Sequence, residues 1–402
     1  MSIRQLKAGC FALTALNTLA TSYYFNYLFF FLRDRFGFGD RENLWVSALH
    51  GLLYALAAWQ CGKFAQRRGF FTSLKVGFAG LTLALLAGAL LGSVAGMLCV
   101  LVSYTVVLLF TWPALEALVT ENEPPAAVPR MVGLYNCTWS AAAALAYFTG
   151  GRLYEMSARG TVFWLPAAIF LGQFLLARWL AQHADEVIVP QVVPAESTPP
   201  HPAAGFRPSI RPQVFLKLAW LANPFAYVAV NTLFAVAPGL AQKLGLSPTK
   251  VGLFCSVWLF GRLAAFVILW QWTGWHYRFR WLAGGFLTLV ASFGLILLAP
   301  QLWIVVVAQI FFGFATGLIY YSSLFYSMDA GDTKGEHGGL HEAAIGVGIF
   351  AGPAVGAAAL QFFPQQPDAG TFAVTLLLAA GFGALLLIWG RARFVRAQTG
   401  TT

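Results

Sequence analysis

Apolar positions run along this chain in long unbroken stretches, not in the strict alternation of a half-buried strand or the narrow stripe of a surface helix. A helix rises about 1.5 Å per residue, so crossing ~30 Å of hydrocarbon takes about 20 mostly apolar residues. Reading with that window predicts twelve helices. The first six cover residues 8–32, 43–62, 72–93, 96–119, 131–151 and 161–182. The second six cover 213–238, 250–271, 281–299, 302–326, 340–362 and 371–390. Short joins at 92–96 and around Pro300 predict tight hairpins at corresponding places in the two sets. Between the sets lies VPQVVPAESTPPHPAAGFRPSIRP, residues 189–212, proline-rich and polar enough for a solvated linker. The predicted fold is therefore an all-α membrane protein: an N-terminal six-helix bundle (1–188), a linker, and a C-terminal six-helix bundle (213–402).

Composition makes lipid the necessary solvent. Of 402 residues, 59% are hydrophobic and 10% charged, with a mean hydropathy of +0.69. A soluble globular protein carries about 25% charged residues, so this chain could not cover its own surface in water. The apolar run after Arg4 and Lys7 continues to Leu32, too long for a signal-peptide core, and reads as the first spanning helix. Cys10, Cys61, Cys99, Cys137 and Cys255 fall in or beside apolar runs. Their number is odd and no two are close in sequence. They read as small packed side chains, not as a disulfide framework or metal site.

A net charge of +10 raises the question of nucleic acid. The distribution answers it. With both termini in the cytoplasm, Lys63, Arg67, Arg68, Lys75, Arg178, Arg207, Arg211, Arg278, Arg280, Arg391, Arg393 and Arg396 all fall on the inner side, and the outer side holds far fewer. This is the positive-inside bias of a multi-pass protein. The basic balance reflects topology and contact with anionic lipid, with no nucleic-acid partner. The expected location is a bacterial inner membrane.

The two sets repeat one another weakly. Gly133-Leu134-Tyr135-Asn136 opens the fifth helix as Gly339-Leu340-His341-Glu342 opens the eleventh, and the same offset places Gly150 on Gly356. Repeats of six helices are a construction of secondary transporters. Six plus six helices, a central cytoplasmic linker and termini inside resemble the major facilitator superfamily along essentially the whole chain.

Two local motifs sharpen the resemblance. Gly62-Lys63-Phe64-Ala65-Gln66-Arg67-Arg68-Gly69, between the second and third helices, is similar to the family's loop of glycine, three residues, aspartate, a basic residue, any residue, glycine. Gly62, Arg67 and Gly69 fit. Gln66 stands in the place of the aspartate, so the cytoplasmic gate that the resemblance implies for Gln66 and Arg67 lacks that charge. In the eleventh helix, Gly339, Gly348, Gly352-Pro353 and Gly356 follow a pattern similar to one in the family's drug antiporters, where it lies in the fifth helix. Gly348, Gly352 and Gly356 are four apart, share a face and permit close helix approach. Pro353 can bend the helix. Packing and gating both remain open for this group.

The resemblance implies a substrate path between the bundles, lined mainly by helices 1, 4, 7 and 10. Each carries polar residues at helical spacing: Asn17, Thr21 and Tyr24; Thr105, Trp112 and Glu116; Asn223, Tyr227 and Asn231; Gln309, Thr316 and Tyr320. Either these contact substrate, or they bond between helices within one half.

Charge inside the membrane is costly and marks function. Arg262 lies twelfth in VGLFCSVWLFGRLAAFVILWQW, the eighth predicted helix, and belongs to neither face. Its fixed cation suits a carboxylate or phosphate on a substrate, or an internal partner such as Glu116. Glu116 is the first candidate for carrying a coupling proton, and His50 the second, with an interhelical hydrogen bond as the other role for His50. His341 and Glu342, beside the acidic residues Asp329, Asp332 and Glu336, suit cytoplasmic gate contacts.

No phosphate-binding glycine loop and no catalytic constellation occurs, so neither an ATP-driven pump nor an enzyme is indicated, and no cofactor or metal is implied. The expected activity is secondary transport, by a monomer, of a small organic solute. That solute is anionic or amphipathic and aromatic, and it moves with protons. The alternatives are multidrug-type efflux and a non-transporting receptor or lipid-handling protein on the same scaffold.

Overall fold

A computed structural model describes residues 1–124, 127–157, 160–184, 210–329 and 336–399. The expected linker lies outside the described residues except for its last three. Helices are the only regular elements among the described residues. They are α1 (Ile3–Phe36), α2 (Asp40–Arg68), α3 (Phe70–Leu90), α4 (Val94–Leu108), α5 (Trp112–Thr120), α6 (Val128–Met156) and, after a π-helical turn at Gly160–Trp164, α7 (Leu165–Ala184). The rest are α8 (Pro212–Lys243), α9 (Pro248–Cys255), α10 (Val257–Gln271), α11 (Phe279–Leu298), α12 (Leu302–Asp329), α13 (Glu336–Phe362) and α14 (Ala369–Thr399).

Ten of the spans formed by these elements are long and apolar enough to cross a membrane. Alpha-helices α1 and α6, with 34 and 29 residues, have the length but a more polar composition. Every helix expected from the sequence has a counterpart, but two are broken. The fourth divides into α4 and α5. Phe110 and Thr111 donate to Val107 and Leu108 in a tight turn. Pro113, on the far side of the break, has no N–H to return to Leu109. The eighth divides into α9 and α10 at the buried Ser256, where Leu259 N bonds Ser256 O at 2.9 Å.

The chain packs as two compact units. One comprises Met1–Gly39, Leu53–Ser197 and Ala237–Leu259; the other comprises Asp40–Leu52, Thr198–Val236 and Phe260–Thr402. Each unit therefore holds one short segment from the other half of the sequence. In the first unit, α1 packs Tyr23, Tyr24, Tyr27 and Phe31 against Tyr104, Tyr147, Tyr154 and Phe163. The second unit gathers Phe215, Trp275 and Tyr326 around the α10–α11 connection.

Glycine decides how closely the helices meet. A Cβ on Gly151 of α6 would stand 2.0 Å from Pro248 O of α9, and one on Gly252 of α9 would stand 2.8 Å from Phe148 O. In the second unit, a Cβ on Gly51 of α2 would lie 2.3 Å from Phe350 N of α13. Along the α13–α8 seam the same atom on Gly348 and Gly352 would lie 2.2 Å from Pro224 O and 2.4 Å from Val228 O. Backbone cannot yield as a flexible side chain can, so these positions exclude any larger residue. Among the cysteines, Cys10, Cys61 and Cys255 are buried, Cys137 is half-buried and Cys99 is exposed.

Gly352→Ala should lower stability by about 1–3 kcal/mol through overpacking. Gly172 and Gly383 face open space, and alanine there should be neutral or should stabilise by up to ~1 kcal/mol through helix propensity. Thermal unfolding in detergent measures all three, and equal shifts would contradict the account.

Candidate functional site

In the second unit α10 supplies Arg262. Its neighbour Gly261 lets α10 lie on α12, since a Cβ there would stand 3.0 Å from Ile310 O. Gly317 of α12 does the same one turn along, with its Cβ position 2.7 Å from Ala265 Cβ and 3.5 Å from Arg262 Cγ. The arginine is 8% exposed and lies within electrostatic reach of the Tyr227 and Tyr320 phenols, from α8 and α12. Phe266, one turn on, packs its ring 5.7 Å from Tyr320. Asn223, one turn before Tyr227, is buried with neither amide atom hydrogen-bonded among the described residues. Gln309 of α12 is also buried.

The structure thus brings Arg262, Tyr227 and Tyr320 together. Asn231 and Thr316 differ. Asn231 donates to Tyr227 O at 3.1 Å, and Thr316 to Phe312 O at 2.9 Å. Their polar atoms satisfy their own helices, as short side chains do where water is scarce.

The first unit holds the other predicted residues. Asn17 is buried, with both amide atoms lacking a partner among the described residues. Thr21 donates to Asn17 O at 2.8 Å. Tyr24 is 1% exposed, with its ring 4.4 Å from Tyr104 and 6.0 Å from Phe163. Its ring thus packs within the aromatic core of the first unit. Trp112 opens α5 at the helix break and is half-buried, as is Glu116 one turn later. Thr105 donates to Leu101 O at 2.7 Å. Glu116 belongs to the first unit and Arg262 to the second. His50 is buried in the α2 segment of the second unit, next to the glycine that meets α13.

Of the gate residues, Gln66 and Arg67 are exposed in the last turn of α2. Gly69 follows with φ +88°, a conformation only glycine adopts freely. Gly348, Gly352 and Pro353 are buried in α13, and a Cβ on Gly356 would stand 3.3 Å from Leu44 Cδ1 of α2. Glu342 is half-buried near the start of α13. The side chains of His341 and Glu336, and Asp332 altogether, lie outside the described residues.

A sequence profile decides the family: that of the Major Facilitator Superfamily matches residues 10–236, more than half of the chain. The chain belongs to the Major Facilitator Superfamily. It is accordingly a multi-pass membrane transporter by family, not an enzyme. No curated protein is similar enough in sequence to match.

Superfamily members of known structure share the fold at low identity. A bacterial homologue of the human lysosomal transporter Spinster, inward-facing and unoccupied, is 15% identical with a TM-score of 0.64, over 97% of this chain and 95% of that one. A variant of the nucleoside transporter NupG is 12% identical with a TM-score of 0.68, over 96% and 99%. The human organic anion transporter MFSD10 is 14% identical with a TM-score of 0.64, also over 96% and 99%.

Three polar features of this superfamily member escaped the sequence reading. Lys7 is not simply an interfacial charge. Its Nζ donates to Leu118 O, Val119 O and Glu121 O, capping the C-terminus of α5, and pairs with Glu123 at 3.5 Å. Glu155, at the end of α6, accepts from Thr249 N at 3.0 Å and Thr249 Oγ1 at 2.6 Å, holding the first turn of α9. The third is the α10–α11 connection, residues 272–278. His276 stacks on Phe325 at 3.9 Å, Tyr277 N donates to Tyr326 Oη at 2.9 Å, and Tyr277 Oη donates to Asp329. The aromatic density of WTGWHYRFRW was its only visible signal.

Burial pushes the His276 imidazole down to about 4, against the opposing pull of Asp329. A base with a depressed pKa favours folding in its neutral form. Its contribution is therefore complete above the ordinary value of 6.5 and is lost as pH falls toward 4. The thermal midpoint should drop across that window in the wild type and drop less in His276→Phe, which keeps the ring stacking. Identical pH profiles would contradict this.

Proposed function

We propose that the protein is a secondary active transporter that carries a small organic anion, or an amphipathic aromatic molecule bearing an anionic group, by alternating access and coupled to protons. Arg262 carries this reading: a guanidinium 8% exposed, midway along an apolar span, within electrostatic reach of two phenols. Arginine keeps its charge at every physiological pH and offers a planar fork of donors. A fixed cation at such depth costs from about 2.5 kcal/mol upward. An anionic cargo offsets that cost during the cycle. Tyr227 and Tyr320, within electrostatic reach, add hydroxyl donors.

Glu116 is the proposed proton carrier, half-buried on α5 just past the helix break. His50 is then a hydrogen-bonding residue of the α2–α13 contact. In this reading α1 and α6 also cross the membrane, giving twelve spans, with both termini in the cytoplasm and a monomer as the working unit. The membrane is taken as a bacterial inner membrane. The structural neighbours include an organic anion transporter and a protein from a study of proton-dependent oligopeptide transporters, which agrees with an anionic, proton-coupled cargo. Multidrug-type efflux is the second reading. It is favoured by the glycine–proline pattern of α13, which seats that helix on the α8 backbone.

A thermal-shift screen of the purified protein, with carboxylates and phosphates set against lipophilic cations, should find its hits among the anions. A screen answered by lipophilic cations would favour efflux instead. With a hit in proteoliposomes, Arg262→Gln should cut uptake by about 10- to 100-fold, the worth of a charge-assisted hydrogen bond, while leaving expression and folding normal. Glu116→Gln should remove the response to an imposed pH gradient but leave solute exchange. Unchanged kinetics in Arg262→Gln, or a full gradient response in Glu116→Gln, would overturn the corresponding role.

A further inference from the structure

A second candidate binding site lies outside the Arg262 cluster. A cavity of about 370 Å³ opens between α3 and α7 of the first unit, lined by Lys75, Phe174, Arg178, Ala181 and Gln182. Phe174, Arg178, Ala181 and Gln182 recur at helical spacing on one face of α7. Lys75 faces them from α3, which runs antiparallel, since Phe78 stacks on Phe170 further along. Two cations and one amide therefore line a recess whose remaining wall is an aromatic ring and a methyl group. No carboxylate is among the described residues that line it.

The recess lies near the end of α7 and the start of α3, where these apolar spans give way to basic residues. Trp179 is exposed beside it, with its ring tilted against His183 at 4.9 Å and His183 Nδ1 held 2.8 Å from Trp179 O. Such amphipathic rings sit where headgroups begin. From the recess toward the middle of the membrane, both helices expose apolar side chains: Val76 and Leu83 on α3, Leu171 and Leu175 on α7. Water would leave these surfaces bare, whereas two acyl chains would cover them.

We propose that this recess binds the phosphate headgroup of an anionic phospholipid, with Lys75 and Arg178 as its ligands and the α3–α7 surface as the bed for its acyl chains. The charge pairing explains the recess. The exposed apolar strip leading from it selects a lipid over a free phosphate ion. Basic recesses between spanning helices at an interface are a known mode of headgroup recognition, and each Lys or Arg near such a surface contributes about a fivefold gain in affinity. Gln182 adds an amide donor at the rim. The site is independent of the cargo and of the coupling ion.

The test uses the full chain purified into phosphatidylcholine nanodiscs, titrated with phosphatidylglycerol, and read by native mass spectrometry and thermal unfolding. Wild type should retain phosphatidylglycerol in preference to phosphatidylcholine and gain thermal stability from it. The double variant Lys75→Gln/Arg178→Gln should lose that preference by about 30-fold, and it should unfold at the wild-type temperature in pure phosphatidylcholine. Lys75→Arg should retain the lipid, which separates loss of charge from loss of packing. Arg391→Gln/Arg393→Gln, which removes an exposed basic pair on α14, should also retain it. Equal phosphatidylglycerol retention in the wild type and the Lys75/Arg178 double variant would overturn the proposal. So would displacement of the lipid by inorganic phosphate with the same gain in stability, since the site would then take the free ion.

Discussion

Everything in this molecule depends on helices meeting backbone to backbone in a solvent that offers no hydrophobic driving force between them. In lipid, leucine against leucine gains little over leucine against an acyl chain. Close approach must supply what exclusion of water supplies elsewhere, and it requires glycine. The seams of α6 with α9, α2 with α13, α13 with α8, and α10 with α12 are all of this kind. All four draw on α13 or the broken eighth helix, so glycine at these seams sets how closely the helices meet.

The same scarcity of water governs the polar groups. Thr14, Thr18, Thr21, Thr82, Thr105, Thr232 and Thr316 all donate to carbonyls of their own helices. A polar stripe at helical spacing can therefore arise from threonines that face no ligand. Arginine differs from threonine in chemistry: its fork of five donors and its persistent charge exceed what one helix carbonyl can accept. Arg262 is thus a different kind of residue from Thr316, although both lie on predicted or flanking elements of the expected path.

The all-helical architecture, the helix order and the approximate bounds were legible because apolar run length is a direct consequence of membrane thickness. Arg262 was legible as the basic residue belonging to neither face. The breaks at 109–111 and at Ser256 were not. Pro113 was visible, but a proline in a spanning helix can bend it without breaking it, and Ser256 carries no breaker at all. Tyr24 shares a helical face with Asn17, and periodicity gave no sign that its ring packs 4.4 Å from that of Tyr104. The contacts of Lys7 and Glu155 join residues more than ninety positions apart, so no local pattern could reveal them.

The proposed role of Arg262, as an anion receptor within the membrane, can be measured by calorimetric binding of one anionic ligand and its uncharged amide isostere to the wild type and to Arg262→Gln. The account predicts that the wild type prefers the acid by about tenfold or more, in keeping with the worth of a charge-assisted hydrogen bond. It also predicts that the preference persists across neutral pH and vanishes in the variant. An acid-over-amide preference that survives intact in Arg262→Gln would contradict it.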